Sequence, residues 1–257
     1  LVRDLQFGES ERPIVAQLFG ANPETMVYAA KYAASLGYDG IDINMGCPDR
    51  SIEKQGAGAA MMKHPEDAPA IIAAARESGL PVSVKTRIGY NHESLDEWLP
   101  ILLKENLPAL TVHLRTRKEM SLVAAHWELA ERVVGLRDKF APDTLILGNG
   151  DVRDLADAKE KAANGGWDGI MLGRAIFGNP WVFTGRELSD ISREERLAAL
   201  LQLAEYFDEL RPKKSFHILK KHFKAFVNGW PGAAELRAEL MEAEDIAALR
   251  AIITRLV

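Results

Sequence analysis

The sequence predicts an α/β chain. It reads as a TIM-type (β/α)8 barrel of which six strands are visible, followed by a small all-helical C-terminal domain. Three observations carry this expectation. Short apolar or β-branched runs alternate with amphipathic stretches from the start of the chain, the pattern of βα units that build a parallel sheet. Each run ends in polar or glycine-rich residues, as the functional rim of a barrel does. From about Arg193 the alternation stops and only helical patterns follow. The bulk composition agrees: 257 residues, 47% hydrophobic and 27% charged, describe an ordinary globular chain. No stretch approaches the roughly 18 uncharged apolar residues of a membrane span.

The strands are expected at Ile14–Phe19, Gly40–Asn44, Val82–Arg87, Leu110–His113, Thr144–Leu147 and Gly169–Leu172. Their apolar character fits a sheet buried on both faces. The first intervening helix opens on Asn22-Pro23-Glu24 and stops at Gly37, a start signal and a breaker. Further helices are expected near residues 65–78, 93–104, 125–139 and 154–164, with Pro69 and Pro100 as potential interruptions. The helical tail divides into Glu194–Leu210, Ser215–Asn228, Ala233–Met241 and Glu244–Leu256, with Gly229-Trp230-Pro231-Gly232 as a breaker. Domain boundaries are expected at 1–185 and 186–257.

Glycines after the last two strands, at Gly148-Asn149-Gly150-Asp151 and Gly173-Arg174, suit backbone contact with a phosphate. In a barrel that grip follows strands seven and eight. The six visible strands are then strands three to eight, with about 60 residues, two βα units, expected upstream of Leu1.

Lys85 ends an apolar strand. It either faces an anionic partner or snorkels to solvent on the helix side. His113 is either a satisfied structural histidine or, beside Arg115, Thr116 and Arg117, part of an anion site. Cys47 is the single cysteine, so no disulfide within the chain and no zinc cluster is expected, and a reducing cytoplasm suits it. It lies in a Gly46-Cys47-Pro48 loop with no base nearby in sequence, which favours proton donation over nucleophilic attack. The remaining histidines form no metal pattern, and no metal site is expected. Formal net charge is -5, yet Arg211, Lys213, Lys214, Lys220, Lys221 and Lys224 crowd one acid-free segment. That run is either a solvated helix face or a phosphate-contacting surface. Phe216, Phe223 and Phe226 within it are expected to pack the helical core.

Six stretches in this order resemble the tRNA-dihydrouridine synthase family. They are Ile41-Asp42-Ile43-Asn44-Met45-Gly46-Cys47-Pro48, Gly56-Ala57-Gly58-Ala59-Ala60, Val84-Lys85-Thr86-Arg87-Ile88-Gly89, His113-Leu114-Arg115-Thr116-Arg117, Gly148-Asn149-Gly150-Asp151, and Gly173-Arg174-Ala175 with Asn179-Pro180. The resemblance covers about residues 13 to 185. It implies an FMN-dependent oxidoreductase, monomeric and cytoplasmic, that reduces the C5–C6 double bond of a uridine in tRNA. NADPH would reduce FMN, the flavin would give a hydride to C6, and Cys47 would protonate C5. The resemblance assigns Gln17, Lys85 and His113 to the flavin ring or its ribityl chain, and Asn149, Gly150, Asp151, Gly173 and Arg174 to its phosphate. It places Asn44 on the uracil, Arg87 and Arg115 on FMN or tRNA, and Lys220, Lys221 and Lys224 on the tRNA backbone. The target base would have to be flipped out of the folded RNA. Leu114 stands where the family more usually has glycine, and the family's Ala-Pro-Met flavin turn does not occur in this chain. Two other readings are a dihydroorotate dehydrogenase-like FMN enzyme, which shares the Asn-x-x-Cys-Pro loop, and a tRNA-binding protein without chemistry.

Overall fold

The computed structural model describes residues 5–210 and 214–256. Six strands, β1 (Val15–Leu18), β2 (Gly40–Met45), β3 (Val82–Arg87), β4 (Ala109–His113), β5 (Leu145–Asn149) and β6 (Gly169–Met171), form one sheet in the order 1-2-3-4-5-6. Every neighbouring pair is parallel. Strictly sequential order with parallel neighbours means that each connection winds the same way, as in a (β/α)8 barrel; a doubly wound sheet reverses direction partway.

The connections carry the helices α1 (Pro23–Ser35), α2 (Arg50–Glu53), α3 (Ala68–Arg76), α4 (Leu95–Leu103), α5 (Ala130–Phe140) and α6 (Leu155–Gly165). Asn22 caps α1 by accepting from the Thr25 amide at 2.9 Å, and Pro23 occupies the first turn, where its missing N–H costs nothing. Pro69 likewise sits in the first turn of α3. Pro100 lies inside α4, whose helix continues to Leu103 around it.

Side chains alternate across a strand. Ala16, Ile41, Ile43, Met45, Val82, Val84, Leu110, Val112 and Ile146 therefore share one face and are buried in a core with Met26, Ile71, Ile72, Leu95 and Leu99 of the helices. The opposite face carries Gln17, Asp42, Asn44, Ser83, Lys85, Arg87, Thr111, His113 and Asn149. Asp42, Arg87 and Thr111 on this face are buried as well. The helix-facing side is largely apolar and sealed, with Thr86 buried there beside Met45 and accepting from Trp98 Nε1 at 2.8 Å, while Val15 (49% exposed) and Leu145 (53%) on the other side remain open among the described residues.

The described residues of Leu1–Val152 and Ala156–Met171 pack as one compact unit, and those of Arg153–Leu155 and Leu172–Val257 as another. This packing division falls earlier than residue 185, because the segment after β6 packs with the helices that follow. In the second unit, α7 (Arg193–Glu209) starts with a reciprocal cap: the Glu195 amide donates to Ser192 Oγ at 3.1 Å and the Ser192 amide to Glu195 Oε2 at 3.0 Å. It packs with α8 (Lys220–Phe226), α9 (Ala233–Glu242) and α10 (Ile246–Thr254) around Leu197, Leu200, Phe223, Leu240, Leu249 and Ile253. Phe223 and Phe226 are buried there and Phe216 packs against them, as expected.

Gly148 of β5 has no room for a side chain. A Cβ there would lie 2.8 Å from Trp127 and 3.1 Å from Trp167, which meet edge to face. Gly135, in α5, has open space around it. Gly148→Ala is expected to cost about 1–3 kcal/mol through overpacking, and Gly135→Ala to add roughly 0.5–1 kcal/mol of helix stability. Urea unfolding of the two variants checks this; equal effects would contradict the packing.

Candidate active site

The polar face ends in loops that are held to one another by buried cations. Arg87, at the end of β3, is buried and spends its guanidinium on backbone carbonyls: Nε donates to Gly46 at 2.7 Å, and Nη1 to Thr116 at 3.2 Å and Met120 at 3.4 Å. It thereby ties the loop after β2 to the loop after β4. Burial, then neighbouring Arg115, lowers its pKa to about 10, so it stays charged at neutral pH. Arg115 is buried too. Its Nε donates to the Val123 carbonyl at 2.7 Å and its Nη2 pairs with Asp151, which also accepts from the Ala125 amide at 2.9 Å. Both arginines are thus committed to the protein's own carbonyls and carboxylate.

Arg117, named in the sequence only as part of a motif, closes a third tie. It grips Glu53 of α2 with two nitrogens, one at 2.7 Å, and its amide donates to the Gly89 carbonyl at 2.9 Å. The guanidinium carbon lies 5.3 Å from the Tyr90 ring centroid. Burial would raise the Glu53 pKa, but the hydrogen bonds from Arg117 and Tyr90 hold it below the usual range. Neither Glu53 nor Tyr90 is signalled by any motif; a bidentate partner lying 64 residues away in the chain leaves no local mark.

Within this frame Cys47 sits half-buried directly after β2. Its amide donates to Asn44 Oδ1 at 2.9 Å, and its carbonyl accepts from the Ala59 amide at 2.9 Å. Gly58 makes that second contact possible: its φ is +62° and a Cβ would lie 2.7 Å from the Cys47 carbonyl oxygen. The Gly56–Ala60 stretch is therefore the backing of the Cys47 loop. Lys85 and Arg87 both interact electrostatically with Cys47.

Asn44, Gln17 and Asp42 are linked in a row. Asn44 Nδ2 donates to Gln17 Oε1 at 2.9 Å, and Gln17 Nε2 donates to Asp42 Oδ2 at 2.8 Å. Lys85 lies beside Asn44 in the β2–β3 register and is not on the helix side. Its pKa is lowered, first by burial and then by Arg87, with Asp42 opposing. No hydrogen bond to its ammonium occurs among the described residues.

His113 ends β4 with its pKa lowered to about 3, by burial first and then by Arg87, Lys85 and Arg115. Arginine can only donate, so the 3.3 Å contact from Arg115 Nη1 makes His113 Nε2 the acceptor and leaves the proton on Nδ1. Asn149 donates to the Met171 carbonyl at 2.8 Å, and Gly150, at φ +132°, would place a Cβ 2.7 Å from Ala125. Asp151 adopts the left-handed region at φ 48°. Leu114 is fully buried, with its amide donating to the Asn149 carbonyl at 3.0 Å. Leucine at that position fills core volume rather than the site.

Gln17, Asn44, Cys47, Lys85, His113, Asn149, Gly150 and Asp151 belong to one rim of the first unit. Gly173 and Arg174 belong to the second unit, where a single turn of 3-10 helix starts at Arg174. In that unit Lys220 Nζ donates to the Met241 carbonyl at 2.5 Å, while Lys221 and Lys224 are exposed. With Phe177, His222 and Ala225 these two line a cavity of about 440 Å³. Arg211 and Lys213 lie outside the described residues. Among the described residues, no group of three or more His, Cys, Asp or Glu side chains could hold a metal ion, and no helix is long and apolar enough to cross a membrane.

Amide N–H groups, the Lys85 ammonium and a neutral imidazole N–H share one face, and a glycine with no room for a Cβ lies at its end.

Neutral burial of His113 has a consequence for stability. Between about 3 and its ordinary 6.5 the unfolded chain takes up a proton that the folded one refuses. Stability is therefore expected to fall as pH drops through that window, and His113→Asn to fall less steeply. Urea unfolding at several pH values reads the slope; parallel curves for parent and variant would refute the assignment.

Comparison with known proteins follows this geometry. The sequence profile described as dihydrouridine synthase matches residues 2–254. A "Probable tRNA-dihydrouridine synthase" of Staphylococcus aureus (strain COL) is 42% identical over 254 residues, spanning 97% of this chain and 76% of that protein. One from Staphylococcus epidermidis (strain ATCC 12228) is 43% identical over 253 residues, 97% and 77% of the two chains. The "Probable tRNA-dihydrouridine synthase 2" of Bacillus subtilis (strain 168) is 41% identical over 252 residues with the same coverage. The chain belongs to the dihydrouridine synthase family, a family of enzymes.

Proposed function

We propose that this protein reduces the C5–C6 double bond of a uridine in tRNA, with FMN as cofactor, NADPH as reductant and Cys47 as proton donor. The family is flavin-dependent in general, and its relatives' names specify tRNA. The observation that carries the reading is the placement of Cys47: a half-buried thiol, held by backbone bonds on both sides, next to two cations and beside an ordered amide row.

FMN, when bound, would supply the hydride. The chain's own residues do the rest. Lys85 and the Nδ1–H of His113 would face the electron-rich ring, where positive charge and a fixed donor stabilise developing anion without reorganisation. Asn149, Gly150 and Asp151 would hold the phosphate, and the Gly173-Arg174 motif carries the same assignment by sequence resemblance. Asn44 would orient the uracil near Cys47. The Cys47 Sγ–H bond breaks as a C–H bond forms at C5, leaving a thiolate whose charge Lys85 and Arg87 offset until solvent returns a proton. Arg87 and Arg115, whose guanidiniums are already engaged, would act on FMN and tRNA chiefly by shaping the loops. The barrel portion, 1–185, would carry catalysis. The helical portion, 186–257, would bind tRNA as a monomer in the cytoplasm, with Lys221 and Lys224 as exposed phosphate contacts and Lys220 beside them.

The purified protein is expected to be yellow, and Cys47→Ala to keep its flavin spectrum while losing most uridine reduction with NADPH and unmodified tRNA. A colourless preparation, or full activity in the variant, would refute the roles. Turnover of dihydroorotate in place of tRNA would favour the other flavoenzyme reading.

A further inference from the structure

Asp42 is a buried acid on the polar face with no part in the chemistry above. It stands in register with Gln17 on one side and Ser83 on the other. Its Oδ1 accepts from Ser83 Oγ at 2.7 Å and its Oδ2 from Gln17 Nε2 at 2.8 Å. Gln17 Oε1 accepts from Asn44 Nδ2 at 2.9 Å, and Asn44 Oδ1 accepts from the amides of Gly46 at 3.0 Å and Cys47 at 2.9 Å. Side-chain amides can flip, but the ends of this row cannot. Backbone N–H groups only donate, so Asn44 must turn its oxygen toward Cys47. An ionised carboxylate only accepts, so Gln17 must turn its nitrogen toward Asp42. The two constraints agree, and the middle bond then has one possible direction.

We propose that Asp42 is a positioning residue of this site: its carboxylate sets the polarity of a relay through Gln17 and Asn44 that holds the Cys47 loop, fills both acceptor positions of the Asn44 oxygen and leaves a free N–H on each amide. Each amide has two N–H groups and the relay uses one. At Asn44 the site therefore favours rings that present acceptors, carbonyl oxygens or unprotonated ring nitrogens. The inference deepens the functional reading and rests on it for the identity of the ring. Burial holds the Asp42 pKa above its ordinary value, against the opposing bonds from Ser83 and Gln17 and the charge of Lys85.

Because Cys47 is the only cysteine of the chain, its alkylation by iodoacetamide reports the loop without background. Asp42→Leu removes the acceptor, and Gln17→Met severs the relay one step away at an exposed position. Asp42→Asn keeps an oxygen for Gln17. In the purified, folded protein, the two severing variants are expected to alkylate faster by roughly tenfold, the worth of one hydrogen bond, and Asp42→Asn to stay near the parent rate. Uridine reduction is expected to fall in kcat more than KM for the severing variants and to be largely retained in Asp42→Asn. A folded severing variant with parent alkylation, or Asp42→Leu with parent kcat, overturns the proposal, as does an Asp42→Asn protein that behaves like Asp42→Leu; should Asp42→Leu not fold, the alkylation rate of flavin-free Gln17→Met against the flavin-free parent decides, since Gln17 is itself assigned to the flavin. A parent protein that reduces no uridine would sink the functional reading alone, since alkylation involves neither tRNA nor flavin.

Discussion

Everything at the rim depends on the two-residue period of a parallel strand packed on helices. Once Ile41, Ile43 and Met45 are committed to the helix side, Asp42 and Asn44 have no choice of face. The same holds for Val84 against Lys85, and for Val112 against His113. Hydrophobic burial on one side thus performs the positioning on the other. A slip of one residue in any strand would exchange the two sets and lose the core and the site together.

Charge is the second organising feature. Lys85, Arg87, Arg115 and His113 crowd a small volume with Asp42 and Asp151 as nearby acids. Removing cations from water is costly unless their donors are satisfied. Arg87 and Arg115 meet that demand with loop carbonyls and Asp151, so the electrostatic cost is offset by bonds that also fasten the loops. His113 meets it by staying neutral. Lys85 is lowered in pKa by burial and Arg87, with the charge of Asp42 opposing.

Much of this was legible in the sequence, and for identifiable reasons. Strand positions follow from β-branched runs and helix starts from caps such as Asn22-Pro23. The rim residues follow because each strand's last letters are polar. What was illegible is relational. The polarity of the second sheet face leaves little trace, because residues such as Ser83 and Thr111 are small enough to pass within an apolar run. The link from Asp42 through Gln17 to Asn44 crosses two strands, and the Arg117–Glu53 grip joins separate connections; neither leaves a periodic trace. Arg87 and Arg115 look like ligand contacts by letter, and the bonds they also make to loop carbonyls and to Asp151 leave no mark in the sequence. The division of packing after Met171 was hidden because the β6 loop still carries a barrel motif.

The engagement of Lys220 changes how the basic segment counts. Its ammonium is bonded to the Met241 carbonyl, one of the last-turn oxygens that α9 leaves without a helical partner. The lysine thus serves as a helix terminator supplied from a neighbouring element. Affinity for a polyanion grows through release of its condensed counterions, with log K changing by about 0.9 or less per tenfold change in salt for each phosphate neutralised. A cation already spent on an internal carbonyl enters that exchange at a discount. On the proposed reading, Lys221 and Lys224 therefore contribute more than Lys220 to the ionic-strength sensitivity of tRNA binding.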